Sequence, residues 1–322
     1  MDRPISIVGA PINIGIKPYD DGQPRGLDRA PGVLRRLGLA ARLDAADEGD
    51  VGSLPYRDLV KPEGRPRNEQ EMVGYSRKLA NRVAAVVDTG RFPLVLGGDC
   101  SIVLGSLLAL RRGRRRVGLA YVDGHADFAT PLESRTGSVA SMCLGLAVGR
   151  GDTPLSRLAE GQPLVRAEDV ALVGRRDEHE PWSGHVALHA SAVLDLPHRA
   201  VREAGYGAAA VAVLARLGGA DLEGFWIHLD ADVLDPGIMP AVDSPEPDGP
   251  DLGQLAELLG PLVRHPGALG MELTIYDPLL DPEYACGARL VSLLEMILVR
   301  KGSPVAPYAH LMINQDPKLL EK

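Results

Sequence analysis

The chain has 322 residues, 45% of them hydrophobic and 24% charged, a composition typical of a globular protein with a sizeable core. Its net charge of −8 argues against a nucleic-acid or anionic-membrane surface, and three cysteines are too few for a disulfide framework. No apolar stretch reaches the roughly 18 residues of a spanning helix, and the start of the chain lacks a signal-peptide pattern, so we expect a cytoplasmic protein.

Apolar runs alternate with helical patterns along the chain. Strands are predicted at residues 5–8, 50–54, 92–96, 117–122, 170–174, 187–189, 225–229 and 268–275. Helices are predicted at residues 32–37, 102–110, 208–217, 252–262 and 290–299, and in a long segment capped by Asn68. The polar segment 13–29 has no periodicity and is predicted to be a functional loop, and the basic run 111–116 a solvated turn.

This alternation of apolar strands and helices predicts the fold class. Strands of this kind are joined by right-handed crossovers, which produce a parallel sheet with helices on both faces. We therefore predict a three-layer α/β/α sandwich with a central, mostly parallel sheet. Because no internal repeat or low-complexity linker interrupts the pattern, we expect residues 1–322 to form a single domain.

Two rows of polar side chains follow predicted strands. Asp123, His125 and Asp127 alternate directly after the apolar run 117–121, and on an extended backbone such residues point the same way, about 6.6 Å apart. A second cluster, DADVLDP at 230–236, follows the run 225–229. Burying carboxylates without compensation costs several kcal/mol each, so a cation is expected there. Two such rows at the carboxyl ends of parallel strands predict one shared divalent-metal site.

These segments resemble the signatures of a known family. GGDCS at 97–101, DGHAD at 123–127 and DADVLDP at 230–236 are similar to the three signatures of the ureohydrolases, which include arginases, agmatinases and formiminoglutamases. Further likeness is found in GAP at 9–11, TPL at 130–132 and PEPDG at 245–249. The resemblance therefore covers most of the chain, in the order of the family, and implies the arginase-like α/β fold.

The resemblance also implies a cofactor and a reaction. It implies two Mn²⁺ ions held by Cys100, Asp123, His125, Asp127, Asp230 and Asp232. Together they would hold a bridging hydroxide that attacks a C–N bond of a linear amidine or guanidine. Asp127 would accept a hydrogen bond from that hydroxide and pass a proton to the leaving amine. A small-molecule substrate and a homo-oligomer, a trimer or hexamer, are further expectations from the resemblance.

Position 100 departs from the family pattern, which usually has histidine there. A thiolate can replace imidazole as a ligand, but it is softer and adds one negative charge. This exchange favours Fe²⁺, Zn²⁺, Co²⁺ or a half-filled site over a full Mn²⁺ pair. Hydroxyarginine-hydrolysing relatives resemble this chain in having cysteine here. The alternative interpretation is an inert, buried Cys100 beside a single-metal site.

Two further departures concern the substrate. Ala140 stands where the family has a histidine thought to shuttle protons, and Ile275 stands where the family has a glutamate that binds guanidinium. A replacement carboxylate could come from Asp277, which shares the strand face of Ile275 by period 2, although a loop role is an equal alternative because Pro278 follows. Asp243 and Glu246 are other candidates, with a turn-forming role as the alternative that Pro245 and Pro247 favour. We take four residues as candidate substrate-binding residues: Thr136, Asp177, Asp243 and Asp277.

The sequence thus predicts a metal-dependent hydrolase of C–N bonds in linear amidines with non-standard specificity. An N-substituted guanidine or a formimino compound is favoured over free arginine or agmatine, because Ile275 cannot pair with a cation. The alternative is a pseudoenzyme that retains the fold and some metal and has a regulatory or ligand-binding role.

Overall fold

The computed structural model describes residues 3–57, 63–113, 116–180 and 184–299. Within them the chain forms eight strands and ten α-helices. The strands are β1 (Ile5–Ala10), β2 (Ala46–Asp50), β3 (Phe92–Gly97), β4 (Gly118–Val122), β5 (Val170–Val173), β6 (Leu194–Leu196), β7 (Phe225–Asp230) and β8 (Ala268–Thr274). The helices are α1 (Ala30–Arg36), α2 (Leu39–Arg42), α3 (Glu69–Asp88), α4 (Ile102–Gly113), α5 (Cys143–Ala147), α6 (His185–His189), α7 (His198–Ala204), α8 (Tyr206–Leu217), α9 (Leu252–Arg264) and α10 (Ala285–Leu298).

All eight strands belong to one parallel sheet in the order β2-β1-β3-β8-β7-β4-β5-β6. The six inner strands are buried along their whole length. A parallel strand covered on both faces needs apolar side chains at nearly every position, which is why these segments are continuous hydrophobic runs. The two edge strands are more exposed, and β2 is also more polar.

The helices form two groups that pack on the sheet. α3 and α4 pack together, α3 against β1 and β3, and α4 extends the contact to α5 and β7. In the other group α1, α10, α9, α8 and α7 contact one another in that order, while α1 contacts β1 and β3 and α8 contacts β4, β5 and β6. The predicted α/β fold with helices on both faces of a central sheet is therefore confirmed, and the sheet is parallel throughout.

Two predicted strands are wrong. The strand predicted at 50–54 lies earlier, as the exposed edge strand β2, whose polar sequence carries no hydrophobic alternation. The segment 187–189 lies inside the helix α6, and the strand that pairs with β5 is β6. Short apolar runs do not distinguish a strand from a single helical turn, because both can bury them.

Asn68 precedes α3 as predicted, but it does not cap the helix with its side chain. Its backbone is left-handed, with φ of 49°. Its amide donates instead to the carbonyls of Ile14 and Arg57, at 2.8 and 3.0 Å, so it ties two loops together. The turn predicted for the basic run 111–116 is wrong at its start, because α4 continues to Gly113 and includes Arg111 and Arg112. Positions 114 and 115 lie outside the described residues, and Arg116 forms an ion pair with Asp169.

Candidate metal centre

The neighbouring strands β4 and β7 bring the two predicted ligand rows together. Val122 pairs with Leu229, so Asp123 and Asp230 leave the sheet side by side. β8 lies next to β7, and β3 next to β8, which brings the loop containing Cys100 to the same edge. A cavity of about 470 Å³ opens there. All six predicted ligands line it: Cys100, Asp123, His125, Asp127, Asp230 and Asp232.

Backbone and side-chain hydrogen bonds hold the second and third signatures against each other. The amide of His125 donates to Asp123 Oδ1 at 2.7 Å, and that of Gly124 donates to Asp232 Oδ1 at 3.0 Å. His125 Nδ1 lies 2.9 Å from Asp232 Oδ2 and 3.6 Å from Asp123 Oδ1. A Cβ atom on Gly124 would lie only 3.0 Å from the Asp232 backbone oxygen, so a side chain there would push the two loops apart.

Cys100 approaches the centre from the first signature. Its Sγ lies 2.6 Å from Asp230 Oδ2 and 3.7 Å from the hydroxyl of Thr274. Burial, and then the charge of Asp230, raises the pKa of the Cys100 thiol. The turn before it needs Gly98, where φ is +21° and a Cβ would lie 2.5 Å from the Ile12 carbonyl oxygen. The thiol is therefore fixed among carboxylates by a backbone that only glycine allows.

The potential ligand atoms form two groups that share Asp123. One atom from each of Asp123, His125 and Asp232 lies within 4.8 Å of the others. The same holds for a second group: Cys100, Asp123, His228 and Asp230. His228 was not among the sequence predictions. The signal was present, because His228 precedes Asp230 by two residues and so points to the same side of β7.

The donor set fits divalent cations. Burial, and then repulsion from Asp232, raises the pKa of Asp123 and of Asp230 above the ordinary aspartate value. Within the described part of the chain, Asp123 Oδ2, His125 Nε2 and His228 Nε2 are buried and have no hydrogen-bond partner. Buried acceptors without partners are costly, and cations between the carboxylates would remove that cost. Oxygen, imidazole and thiolate donors are those that Mn²⁺, Fe²⁺, Co²⁺ and Zn²⁺ accept.

Asp127 lines the cavity but belongs to neither group. Its Oδ2 accepts a hydrogen bond from the buried hydroxyl of Tyr121 at 2.6 Å. Its backbone is left-handed, with φ of 46°, so the extended alternation predicted for Asp123, His125 and Asp127 does not continue to this residue. Burial, and then the charge of Asp123, raises the pKa of Asp127 well above the ordinary value.

Three of the four candidate substrate-binding residues line the cavity. Thr136 and Asp177 are among them, although an oxygen of Asp177 already accepts from the amide of Ala126 at 2.9 Å. Asp243 lines it too and forms an ion pair with Arg25 at 2.5 Å.

The fourth candidate, Asp277, is outside the cavity lining, so that assignment requires correction. Asp277 is buried, and its carboxylate accepts hydrogen bonds from the amides of Gly26 and Leu279 and from the hydroxyl of Tyr19. β8 ends at Thr274, so the period-2 relation to Ile275 does not extend to Asp277. The carboxylate secures a loop, which was the alternative weighed for it.

Ile275 and Ala140 both line the cavity, as expected for residues at substrate-handling positions of the family pattern. Ile275 is 2% exposed and has φ of 66°. A β-branched residue is rare in this region, because its side chain crowds the backbone. Ile275 directly follows β8, and its apolar side chain lines the same cavity as the ligand cluster despite the strained backbone. Lys17, Arg135 and Glu180 also line the cavity and were not predicted.

The fold and the acidic edge site define a metallohydrolase-like α/β protein, and comparison with known proteins identifies its family. The sequence model described as Arginase family matches residues 3–297, so this chain belongs to the arginase family. Members of this family are manganese-dependent, binuclear hydrolases, and the chain is accordingly a hydrolase that acts on C–N bonds in linear amidines.

Bacterial arginases are among its most similar relatives. The arginase of Bacillus subtilis strain 168 is 28% identical over 307 residues, which cover 94% of this chain and 99% of the relative. The native structure of Bacillus caldovelox arginase superposes with a TM-score of 0.82 at 28% identity, over 94% of this chain and 100% of the other. No helix within the described ranges is long and apolar enough to cross a membrane.

Proposed function

We propose that this hydrolase cleaves a C–N bond of a linear amidine other than free arginine or agmatine, such as an N-substituted guanidine or a formimino compound. The observation that carries the proposal is the juxtaposition at one cavity of the ligand cluster and Ile275. The cluster retains six donors able to bind metal, while the position at which the family resemblance implies a guanidinium-binding carboxylate is apolar.

The ligand assignment combines the two groups of donor atoms with the family resemblance. The groups support Asp123 as a shared ligand, with Cys100 and Asp230 on one side and His125 and Asp232 on the other. The resemblance makes Asp230 a second shared ligand and adds Asp127, which lines the same cavity, to the Cys100 side. Divalent ions bound there would activate a water molecule for attack and polarise the amidine carbon. Mn²⁺ is the metal expected from the family. The thiolate of Cys100 favours a softer divalent ion, such as Fe²⁺, Co²⁺ or Zn²⁺, on its own side of the centre.

We assign Asp127 as the catalytic residue that moves the proton. Tyr121 holds Asp127 Oδ2, so Oδ1 is the oxygen available to take a proton from the attacking water. The same oxygen can then deliver the proton to the leaving nitrogen, since it lines the cavity in which the substrate would bind. Ala140 cannot share this task, because it has no titratable group.

The charges of the cavity support a substrate whose reacting end binds in the neutral state. Ile275 offers no partner for a cation, and the carboxylate of Asp243 is already paired with Arg25. A guanidinium stays charged at any accessible pH, so at position 275 it would lose the charge-assisted partner that the family resemblance implies. An amidine of lower pKa could bind uncharged. Lys17 and Arg135 suit an anionic group elsewhere on such a substrate.

The assembly and location of the protein are further parts of the proposal. A homo-oligomer, a trimer or hexamer, is supported by membership of a family whose members are typically oligomeric. A cytoplasmic location is supported by the three free cysteines, all of which are buried and none of which is paired in a disulfide.

The proposal is tested by metal analysis of the purified protein, followed by a hydrolysis screen with that metal restored. The screen compares kcat/KM for arginine, agmatine, an N-hydroxyguanidine and a formimino compound, with release of the amine or urea product as the signal. We expect the N-hydroxyguanidine or the formimino compound to be cleaved at least about 10²-fold more efficiently, which corresponds to about 2.7 kcal/mol.

Two outcomes would overturn the proposal. Efficient turnover of arginine or agmatine would show that another carboxylate pairs with the guanidinium. Full metal content with no cleavage of any amidine would favour the pseudoenzyme alternative.

A further inference from the structure

His228 lies directly beneath the ligand cluster and is not used by the mechanism above. It is fully buried in the middle of β7 and is absent from the residues that line the cavity. The burial of a histidine in a sheet is favourable only when its two ring nitrogens find partners. The surroundings of those nitrogens therefore indicate what the side chain does.

One ring nitrogen is held by a buried carboxylate. Nδ1 lies 2.7 Å from Glu272 Oε1 on the neighbouring strand β8, and the other oxygen of Glu272 accepts from the hydroxyl of Ser106 at 2.6 Å. A carboxylate at this distance can accept a hydrogen bond from Nδ1–H, and that bond turns Nε2 away from Glu272. Histidines that bind a metal through one ring nitrogen commonly donate the other N–H to a carboxylate in this way.

A stacking contact also constrains the plane of the imidazole ring. His228 stacks on Tyr121 of the adjacent strand β4, with the ring centroids 4.2 Å apart and the planes 15° apart. Tyr121 in turn donates to Asp127. The ring can neither rotate nor shift without breaking the stack or the bond to Glu272, so the direction of Nε2 is fixed.

Nε2 points at the cluster and has no hydrogen-bond partner. It lies 4.0 Å from Asp123 Oδ2, another buried atom without a partner. This distance is too long for a hydrogen bond. It suits two ligands of one ion, since donors that are each about 2.1 Å from a metal lie up to about 4.2 Å apart. Cys100 and Asp230 contribute atoms to the same group, all within 4.8 Å.

We propose that His228 Nε2 is a seventh metal ligand, which binds the ion on the Cys100 side of the centre, with Glu272 as the residue that positions it. The inference rests on the proposed function, because it requires that the cluster binds metal. It places an imidazole from β7 beside the thiolate from the first signature. A thiolate, an imidazole and carboxylates together favour Zn²⁺, Co²⁺ or Fe²⁺ over Mn²⁺ at that side.

A role for His228 as a proton shuttle is not supported by the geometry. Its ring is 0% exposed and lies below the cavity floor, so it cannot reach a leaving amine. Asp127, which does line the cavity, is separated from it by Tyr121. Coordination is therefore the role that uses the direction of Nε2.

The test is a metal titration of the full-length protein with Co²⁺ in three variants. We expect His228→Gln to lower the affinity for Co²⁺ at the Cys100 side by more than about 100-fold. The thiolate-to-Co²⁺ absorption band should then be lost at stoichiometric metal, while the ion at His125 stays bound. Glu272→Gln should lower the affinity for the same ion by a smaller factor, within the range of about 10–100-fold that is typical when a metal ligand loses its hydrogen-bond partner. His198→Gln, which changes a buried histidine away from the centre, should have no effect.

A crystal structure of the Co²⁺-loaded wild-type protein decides the matter even if His228→Gln does not fold. An ion about 2.1 Å from His228 Nε2 is expected. Two ions bound to Asp123 and Asp230, with Nε2 more than about 3 Å from both, would overturn this inference and leave the proposed function intact. Failure of the wild-type protein to bind any divalent ion would overturn both.

Discussion

Ile275 is the residue on which the proposed substrate preference rests. Its position was evident from the sequence, because an apolar side chain stands where the family resemblance implies a carboxylate. Its backbone conformation was not, since a φ of 66° at a β-branched residue contradicts the strand pattern that surrounds it. Likewise the six proposed ligands were predictable as carboxylate, imidazole or thiolate donors after strands, whereas His228 lies inside an apolar run and was not singled out.

Ile275→Glu should raise kcat/KM for agmatine or arginine by about 10²-fold, because it restores a charge-assisted pair and satisfies two guanidinium donors at about 1–3 kcal/mol each. Glutamate is not β-branched, so the left-handed backbone tolerates it better than isoleucine. Steady-state kinetics would check this, with Ile275→Gln as the uncharged control of similar shape. Equal gains in both variants would show that relief of strain, not charge, limits the wild-type enzyme.

Asp230→Ala should remove both metal ions, because Asp230 faces the Cys100 group and donates an oxygen that the two sides share in the proposed assignment. Metal content after equilibrium dialysis is the measurement. Asp235→Asn is the matched control: it changes a carboxylate of the same signature whose role is to accept from the amide of Gly237 at 2.8 Å. If Asp230→Ala keeps two ions per chain, the ligand assignment is wrong.

At the scale of elements, long apolar segments were predictable and short polar ones were not. The strands β3 and β7 and the helix α8 have enough apolar residues in one period to identify them. The edge strands β2 and β6 gain their strand conformation from pairing with a neighbour rather than from their own sequences. Tertiary contacts override weak local preference at such edges.

The junction of α7 and α8 predicts a pH dependence of stability. His198, which begins α7, is buried, and its Nε2 lies 2.7 Å from the hydroxyl of Tyr206 at the start of α8. Burial, and then the charge of Arg176, lowers the pKa of His198 from 6.5 to about 4. Protonation therefore favours the unfolded chain between these values. The free energy of unfolding should fall as pH decreases through this window, by up to about 1.4 kcal/mol per pH unit from this group.

Denaturant unfolding of metal-free protein between pH 4 and pH 7 checks this contribution, as the difference between wild type and His198→Gln. The carboxylates are common to both proteins and cancel in that difference. His179→Gln is the control, because the side chain of His179 is 65% exposed. A slope unchanged by His198→Gln would show that His198 titrates normally in the folded protein.

At the scale of the whole molecule, the order of the strands creates the site. The first signature follows β3 and the third follows β7, and the intervening β8 comes last in the chain. Hydrophobic periodicity gives the strands but not their order, because every buried parallel strand has the same pattern. The position of the ligand rows at the carboxyl ends of parallel strands and the family resemblance both implied that these loops meet, and the sheet order explains why they do.

Because the ligands come from three distant segments of the chain, metal binding should stabilise the entire fold. Each ion at about 100 times its Kd contributes about 2.7 kcal/mol to the free energy of unfolding, so two ions contribute about 5.4 kcal/mol. For a domain of this size each kcal/mol raises Tm by about 2 °C, so loading both sites should raise Tm by about 11 °C. Calorimetry with and without a chelator measures the shift. The same shift in Asp230→Ala would mean that the ions bind elsewhere.

The central claim, that the ends of β4 and β7 hold a binuclear metal centre, is tested most directly by anomalous diffraction from metal-loaded crystals. We predict two ions per chain that share Asp123, one next to Cys100 and Asp230 and the other next to His125 and Asp232. An ion within about 2.6 Å of the Cys100 sulfur would support the thiolate as a ligand. Crystals that bind metal only at sites remote from both Asp123 and Asp230 would contradict the account.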